Sequence, residues 1–165
     1  MRYIAPLVLS IYLCGCSATL SIKSAFRETL TQGDLDNIRS LGSLPMDQNY
    51  EKYGVIVAAI ELRAALSSES TIFLNVADCS NMSNDFPAVA FYSDIPLDEG
   101  YRAAIERLEG ASGDITLIGY VPQTFSRRLR PACVQLSGGS YSGRRVTSDV
   151  VPVGEAQSRP AQNPQ

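Results

Sequence analysis

The clearest pattern lies at residues 114–121, Asp-Ile-Thr-Leu-Ile-Gly-Tyr-Val, a β-branched run bounded by Gly113 and Pro122, as a buried strand should be. Residues 71–77 and 88–92 read as two more strands, separated by a cluster of turn formers at 78–85. Residues 132–137 alternate, and a Gly-Ser loop, Gly138-Gly139-Ser140-Tyr141-Ser142-Gly143, leads into 144–153; this predicts a hairpin with Gly138 and Gly139 at positive φ. A helix is expected over 97–109, capped by Asp98 and stopped by Gly110, with Tyr101, Ala104, Ile105 and Leu108 on one face. Residues 53–66 carry two signals: Val55-Ile56-Val57 favours a strand, while the alanines and Leu66 would accept a helix. The β-branched run and Gly54 tip the reading to strand. Residues 19–26 form the first strand, and 27–49, with Gly33, Gly42 and Pro45, read as a long connection with one short helical turn at 35–40. About seven strands with one helix predict a mainly β domain, an antiparallel β-sandwich, with immunoglobulin-like connectivity as one form of it and α+β as the alternative class.

The two ends of the chain stand apart from this pattern. Arg2 and the apolar run 4–13 make a charged segment followed by a hydrophobic one, too short to cross a hydrocarbon core that takes about 20 residues. Leu13-Cys14-Gly15-Cys16 follows and resembles the lipobox of bacterial lipoproteins. The resemblance implies that residues 1–15 are a signal peptide and that Cys16 becomes the first mature residue, with diacylglycerol on its thiol and a fatty acyl group, such as palmitate, on its amine. Several acyl chains anchor a protein stably to a membrane surface. Ser17 stands where inner-membrane retention would usually place Asp, so the resemblance points to the outer membrane, periplasmic face. Residues 16–153 are then one periplasmic domain. Residues 154–165, rich in Gln, Pro and Asn, form a tail expected to be disordered.

In an oxidising compartment the remaining pair, Cys79 and Cys133, reads by default as a disulfide bond; two buried free thiols are the alternative.

At 165 residues and 45% apolar composition, the chain suits a single buried core. With 19% charged residues and a net charge of -3, it lacks the basic footprint of a nucleic-acid binder, and no nucleic-acid partner is expected. Residues 16–114 hold fifteen acids against seven bases, whereas 115–165 hold two against six. Folding decides whether this asymmetry in sequence becomes one in space.

Catalytic constellations are hard to assemble from these residues. Gly138–Gly143 misses the Gly-x-Ser-x-Gly elbow in either frame, and with no histidine the usual base for a serine nucleophile is absent. Neither Lys23 nor Lys52 falls in a Ser-x-x-Lys motif. Asp34-Leu-Asp36 begins like a calcium loop, but no glycine or distal glutamate follows in register, and no metal or cofactor is expected. A carboxylate pair for sugar hydrolysis stays open, since acids are plentiful and distances are invisible in sequence.

The most suggestive polar cluster is Arg127, Arg128 and Arg130, with Arg144 and Arg145 across the expected hairpin. Five guanidinium groups on one surface would hold phosphates, lipid head groups or a partner's carboxylates; a solvated face that blunts an edge strand is the alternative. The expectation is a non-enzymatic, lipid-anchored periplasmic binding protein. In size and address it resembles immunity proteins that block toxic secreted effectors such as the phospholipases of type VI secretion. It also resembles accessory lipoproteins of envelope assemblies, the alternative function.

Overall fold

The computed structural model describes residues 18–41, 45, 48–66, 71–92, 95–97, 101–139 and 145–155. Two sheets pack face to face. The first has the order β1–β10–β9–β4–β5, built from Ala18–Leu20, Arg145–Ser148, Ala132–Gly139, Thr71–Asp78 and Asn81–Val89; β11 (Val151–Pro152) continues beyond β10 along β9. The second has the order β12–β2–β3–β8–β6–β7, from Gly154–Glu155, Ser24–Glu28, Tyr50–Ala58, Asp114–Pro122, Phe91–Tyr92 and Ile95–Pro96. All pairings are antiparallel except β1 with β10 and β12 with β2. The chain is therefore a mainly β sandwich, as its alternation predicts, with four helices among the described residues rather than one: α1 (Gln32–Leu41), α2 (Ala59–Leu66), α3 (Tyr101–Leu108) and α4 (Gln123–Ser126).

The shared core lies between the sheets, where Val55, Val57, Leu117 and Val121 of one meet Leu74, Val76, Val134 and Leu136 of the other, all fully buried. Gly119 lies against Leu74 and Ala88, where a Cβ would crowd both side chains, so its missing side chain lets the sheets approach closely there. The seams are closed by chain that passes from sheet to sheet, which is how corners form in packed sheets. Residues 21–23 carry β1 into β2, Ala90 carries β5 into β6, and Val153 carries β11 into β12. The kinks keep their backbone groups paired: Ser21 N–H donates to Glu61, Ile22 N–H to Asp149, and Ala90 N–H to the Ile72 carbonyl.

Several expectations shift at these bends. The expected strand 19–26 is two strands, and 144–153 is β10 and β11 parted at Asp149–Val150, where the Ser148 hydroxyl takes the Leu136 N–H in place of a main-chain partner. Residues 53–66 are not one strand: the β-branched part ends β3 at Ala58, and the alanine-rich part is α2, with Ala59, Leu62, Ala65 and Leu66 buried. Only 79–80 of the turn-forming cluster make a turn; 81–85 are extended, their polar side chains suiting an edge strand paired only to β4. The helix expected over 97–109 forms as Tyr101–Leu108 with Ala104 and Leu108 buried; its expected cap, Asp98, lies outside the described residues.

Gly138 and Gly139 do not take positive φ. They are extended residues of β9, and Gly113 is the positive-φ glycine among the described residues. What Gly138 supplies is a missing side chain, since a Cβ there would collide with the Thr71 carbonyl oxygen. The hairpin itself is present, with Arg145 opposite Gly139, while loop residues 140–144 lie outside the described residues. Ordered chain also runs past Val153, because Gly154–Glu155 pair with Phe26 and Arg27 of β2.

α1 is the longest correction, ten residues where a short turn was expected. Thr31 and Asp34 form a reciprocal cap: the Asp34 N–H donates to the Thr31 hydroxyl at 3.2 Å, and the Thr31 N–H donates to the Asp34 carboxylate at 2.8 Å. The helix lies on the outer face of the second sheet, where Ile38 joins Tyr50, Phe91 and Tyr120 in a second small core.

These pairings give the molecule two poles. At one, α2 and α3 pack against each other beside the start of β1, the end of β9 at Gly139, and Arg145. At the other lie the start of β9, α4, the end of β2 and both cysteines. The seven residue steps of β9 separate the poles by about 23 Å.

Candidate functional site: an arginine loop fixed to the disulfide

Residues 127–131 join α4 to β9, and almost every residue of this loop is held from the inside. Turn-forming bonds run from Arg127 N–H to the Gln123 carbonyl, from Arg128 N–H to Phe125 and from Leu129 N–H to Ser126, at 3.1, 3.1 and 3.0 Å. Leu129 is buried at 8% exposure, so the loop is anchored in the core at its centre. Phe125 packs on Phe86 of the edge strand, with ring centroids 5.5 Å apart.

The far side of the loop is tied to the disulfide. Cys79 and Cys133 are bonded, with Cα atoms 4.8 Å apart, and the Cys79 N–H donates to the Pro131 carbonyl at 3.0 Å. Asp78, one residue earlier, accepts the Ser80 N–H at 2.8 Å and the Ser80 hydroxyl. The Ser80 hydroxyl and amide, with help from Arg130, hold the Asp78 carboxyl below the usual carboxylate range.

A backbone fixed this way presents its side chains at little further entropic cost, a property of preorganised contact surfaces. Arg127, Arg128 and Arg130 are all exposed. Arg127 donates to the Gln123 side-chain oxygen at 2.9 Å, and none of the three arginines has an acidic partner among the described residues. Arg128 lines a small hollow of about 160 Å³ with Asp78, Asn81, Asn84 and Phe125. Arg130 lines a neighbouring cleft of about 390 Å³ with Arg27, and Leu129 forms part of the wall of both.

The five arginines singled out in the sequence do not share one surface. Arg145 pairs with Gly139 at the opposite pole, and Arg144 lies outside the described residues. In their place the fold brings in Arg27, which sequence could not reveal, because its neighbourhood with Arg130 depends on β2 and β12 running side by side. The charge asymmetry between the halves of the chain is interleaved too, since β3 pairs with β8 and β4 with β9. Cys16, the expected lipidation site, lies outside the described residues.

A second polar cluster, around Asp34, has a structural explanation. Its carboxylate receives the Thr31 amide and hydroxyl, the Tyr120 hydroxyl at 3.2 Å and the Lys52 ammonium at 3.1 Å; Lys52 also reaches Glu28 at 3.3 Å. Burial opposes the charge on Asp34, but the bonds from Thr31 and Lys52 outweigh it and hold the carboxyl below its ordinary range. Burial and then the Asp34 charge push the Tyr120 phenol well above its ordinary value. The acid that resembled the start of a calcium loop therefore bolts α1 to β3 and β8. Glu28 and Glu51 line a groove of about 510 Å³ nearby, and both are engaged: Glu28 with Lys52, Glu51 with Arg27 at 3.4 Å and with the Tyr53 hydroxyl at 3.3 Å.

No family model, curated protein or solved structure matches the chain.

Proposed function

We propose that this protein is a lipid-anchored periplasmic binding protein that works by protein–protein contact, and that it is an inhibitor of a toxic secreted effector, with the arginine loop as its contact surface. The observation that carries the reading is the contrast within residues 127–131: a backbone held by core packing, turns and the disulfide displays three guanidinium groups that no acid among the described residues neutralises. Arginine on a preformed loop is a favoured anchor in interfaces, because its planar fork matches carboxylates and loses little freedom on binding.

The placement of the loop suits such a role. Ala18, two residues after the proposed lipid attachment at Cys16, begins β1 at the α2–α3 pole, about 23 Å along β9 from the arginines. An anchored molecule would turn the arginine pole away from the membrane. Unpaired positive charge there would also accelerate encounter with an acidic partner.

The test is affinity purification of the detergent-solubilised full-length protein from envelope extracts. Recovery of one soluble secreted protein, lost with Arg128→Glu/Arg130→Glu, supports inhibition. Recovery of several envelope components instead would replace it with membership of an envelope assembly.

A further inference from the structure

We infer that the cleft between Arg27 and Arg130 is a receptor for a single carboxylate carried on a polypeptide, the anchoring point of the partner that the arginine loop meets. The inference rests on the proposed binding function only for what carries the carboxylate.

Arg27 and Arg130 line the cleft, and no acid is among the described residues that line it with them. Arg27 is half-exposed and directs Nη1 to Glu51 at 3.4 Å, so one of the two positive charges is already matched. The second, on Arg130, has no acidic partner among the described residues. Of the two guanidinium groups described at the cleft one is thus left without an acid among the described side chains, and a monoanionic carboxylate matches it. Both arginines are also suited to the fork geometry of a carboxylate.

The remaining walls are apolar. Leu129, Pro131, Ala132 and Val153 line the site, and the main chain beneath is spent on its own ladder, with the Val153 N–H donating to the Ala132 carbonyl at 2.9 Å. An anion with an apolar stem fits such a floor better than a bare ion does. At about 390 Å³ the cleft lies toward the small end of ligand pockets, which span about 300–1,000 Å³. It holds the end or one side chain of a polypeptide and is too small for a whole helix or strand. Because Leu129 also walls the Arg128 hollow, a polypeptide entering the cleft continues onto the arginine loop.

The experiment follows the Arg side-chain Nε–H resonances of the full-length protein in detergent during titration with N-acetylleucine, a mimic of a chain end, and N-acetylglutamate α-amide, a mimic of an acidic side chain. Saturable shifts at Arg27 and Arg130 with a millimolar dissociation constant are expected, weakened at least fivefold by Arg130→Gln or by Arg27→Gln and unchanged in Arg145→Gln. The tighter of the two probes identifies which polypeptide carboxylate the cleft takes. Inorganic phosphate binding as tightly as either, or shifts produced only by phosphatidylglycerol vesicles, would overturn the assignment. Absence of any saturable shift in a protein whose near-ultraviolet dichroism is intact would also overturn the cleft as a site. That result would leave the arginine-loop reading standing on its own purification test.

Discussion

The N–H of Cys79, the residue whose sulfur binds Cys133, donates to the Pro131 carbonyl at 3.0 Å, so a covalent bond and a hydrogen bond jointly fasten the turn after β4 to the arginine loop. A staple placed at the base of a contact loop serves both the fold and the surface. Replacing both cysteines by serine frees a closure spanning 54 residues and should lower stability by about 4 kcal/mol in the chain-entropy model. Denaturant unfolding of oxidised wild type against Cys79→Ser/Cys133→Ser measures it; a difference under 1 kcal/mol would remove the staple from the account.

Asp78 fixes the turn beside the same loop through the Ser80 amide and hydroxyl. Asp78→Ala should leave the melting transition nearly in place while speeding hydrogen exchange at the Ser80 N–H at least tenfold. Because the folded carboxyl titrates below its unfolded value, the restraint is complete above the unfolded pKa and fades as pH falls through the folded one. Exchange measured toward acid pH, after correction for intrinsic rates, should lose protection at Ser80 in wild type and stay flat in the variant.

Asp34 makes a parallel prediction for the body of the fold. Its folded pKa is depressed, so its contribution is present above the unfolded carboxylate value of about 3.9 and is lost as pH drops through the lower folded value. Asp34→Ala leaves Lys52 half-buried beside Glu28 and strips the α1 cap, a loss of about 3 kcal/mol. Tyr120→Phe removes one charge-assisted bond and should lose about 1.5 kcal/mol. Urea unfolding at neutral pH tests both, and an equal loss for the two variants would contradict the view that Asp34 is the hub.

Gly138→Ala should destabilise by about 3 kcal/mol, since its Cβ meets the backbone of Thr71 rather than a movable side chain. Gly113→Ala is the contrast: there the cost is the positive φ of 84° alone, because open space surrounds the residue. Thermal unfolding of the pair separates crowding from conformational strain.

How much of this could be read in the chain follows from what each segment depends on. β4 and β8 announce themselves because buried strands need β-branched and apolar residues, and Ala104 and Leu108 mark a helix face by spacing alone. The β3–α2 boundary is hidden because Ala58 and Ala59 suit both states, and packing of Leu62 and Leu66 decides between them. The expected strand 88–92 is the end of β5 and the whole of β6, parted at Ala90, and the polar start of β5 at 81–85 escapes notice because an edge strand needs no apolar face where solvent meets it. For the site, the run Arg127-Arg128-Leu129-Arg130 is legible as charge, and Thr31-x-x-Asp34 carries the capping-box signature of the start of α1. The replacement of Arg145 by Arg27 beside the loop is a matter of strand order, which no local pattern encodes.

The central claim is that the arginine pole makes the partner contact, and calorimetric titration of the co-purified partner into wild type and charge-reversed variants tests it most directly. Arg128→Glu/Arg130→Glu should weaken binding more than tenfold, and more so at low ionic strength, while Arg145→Glu at the opposite pole should leave it within twofold. Equal affinity for wild type and the double variant, with the fold intact, would contradict the account.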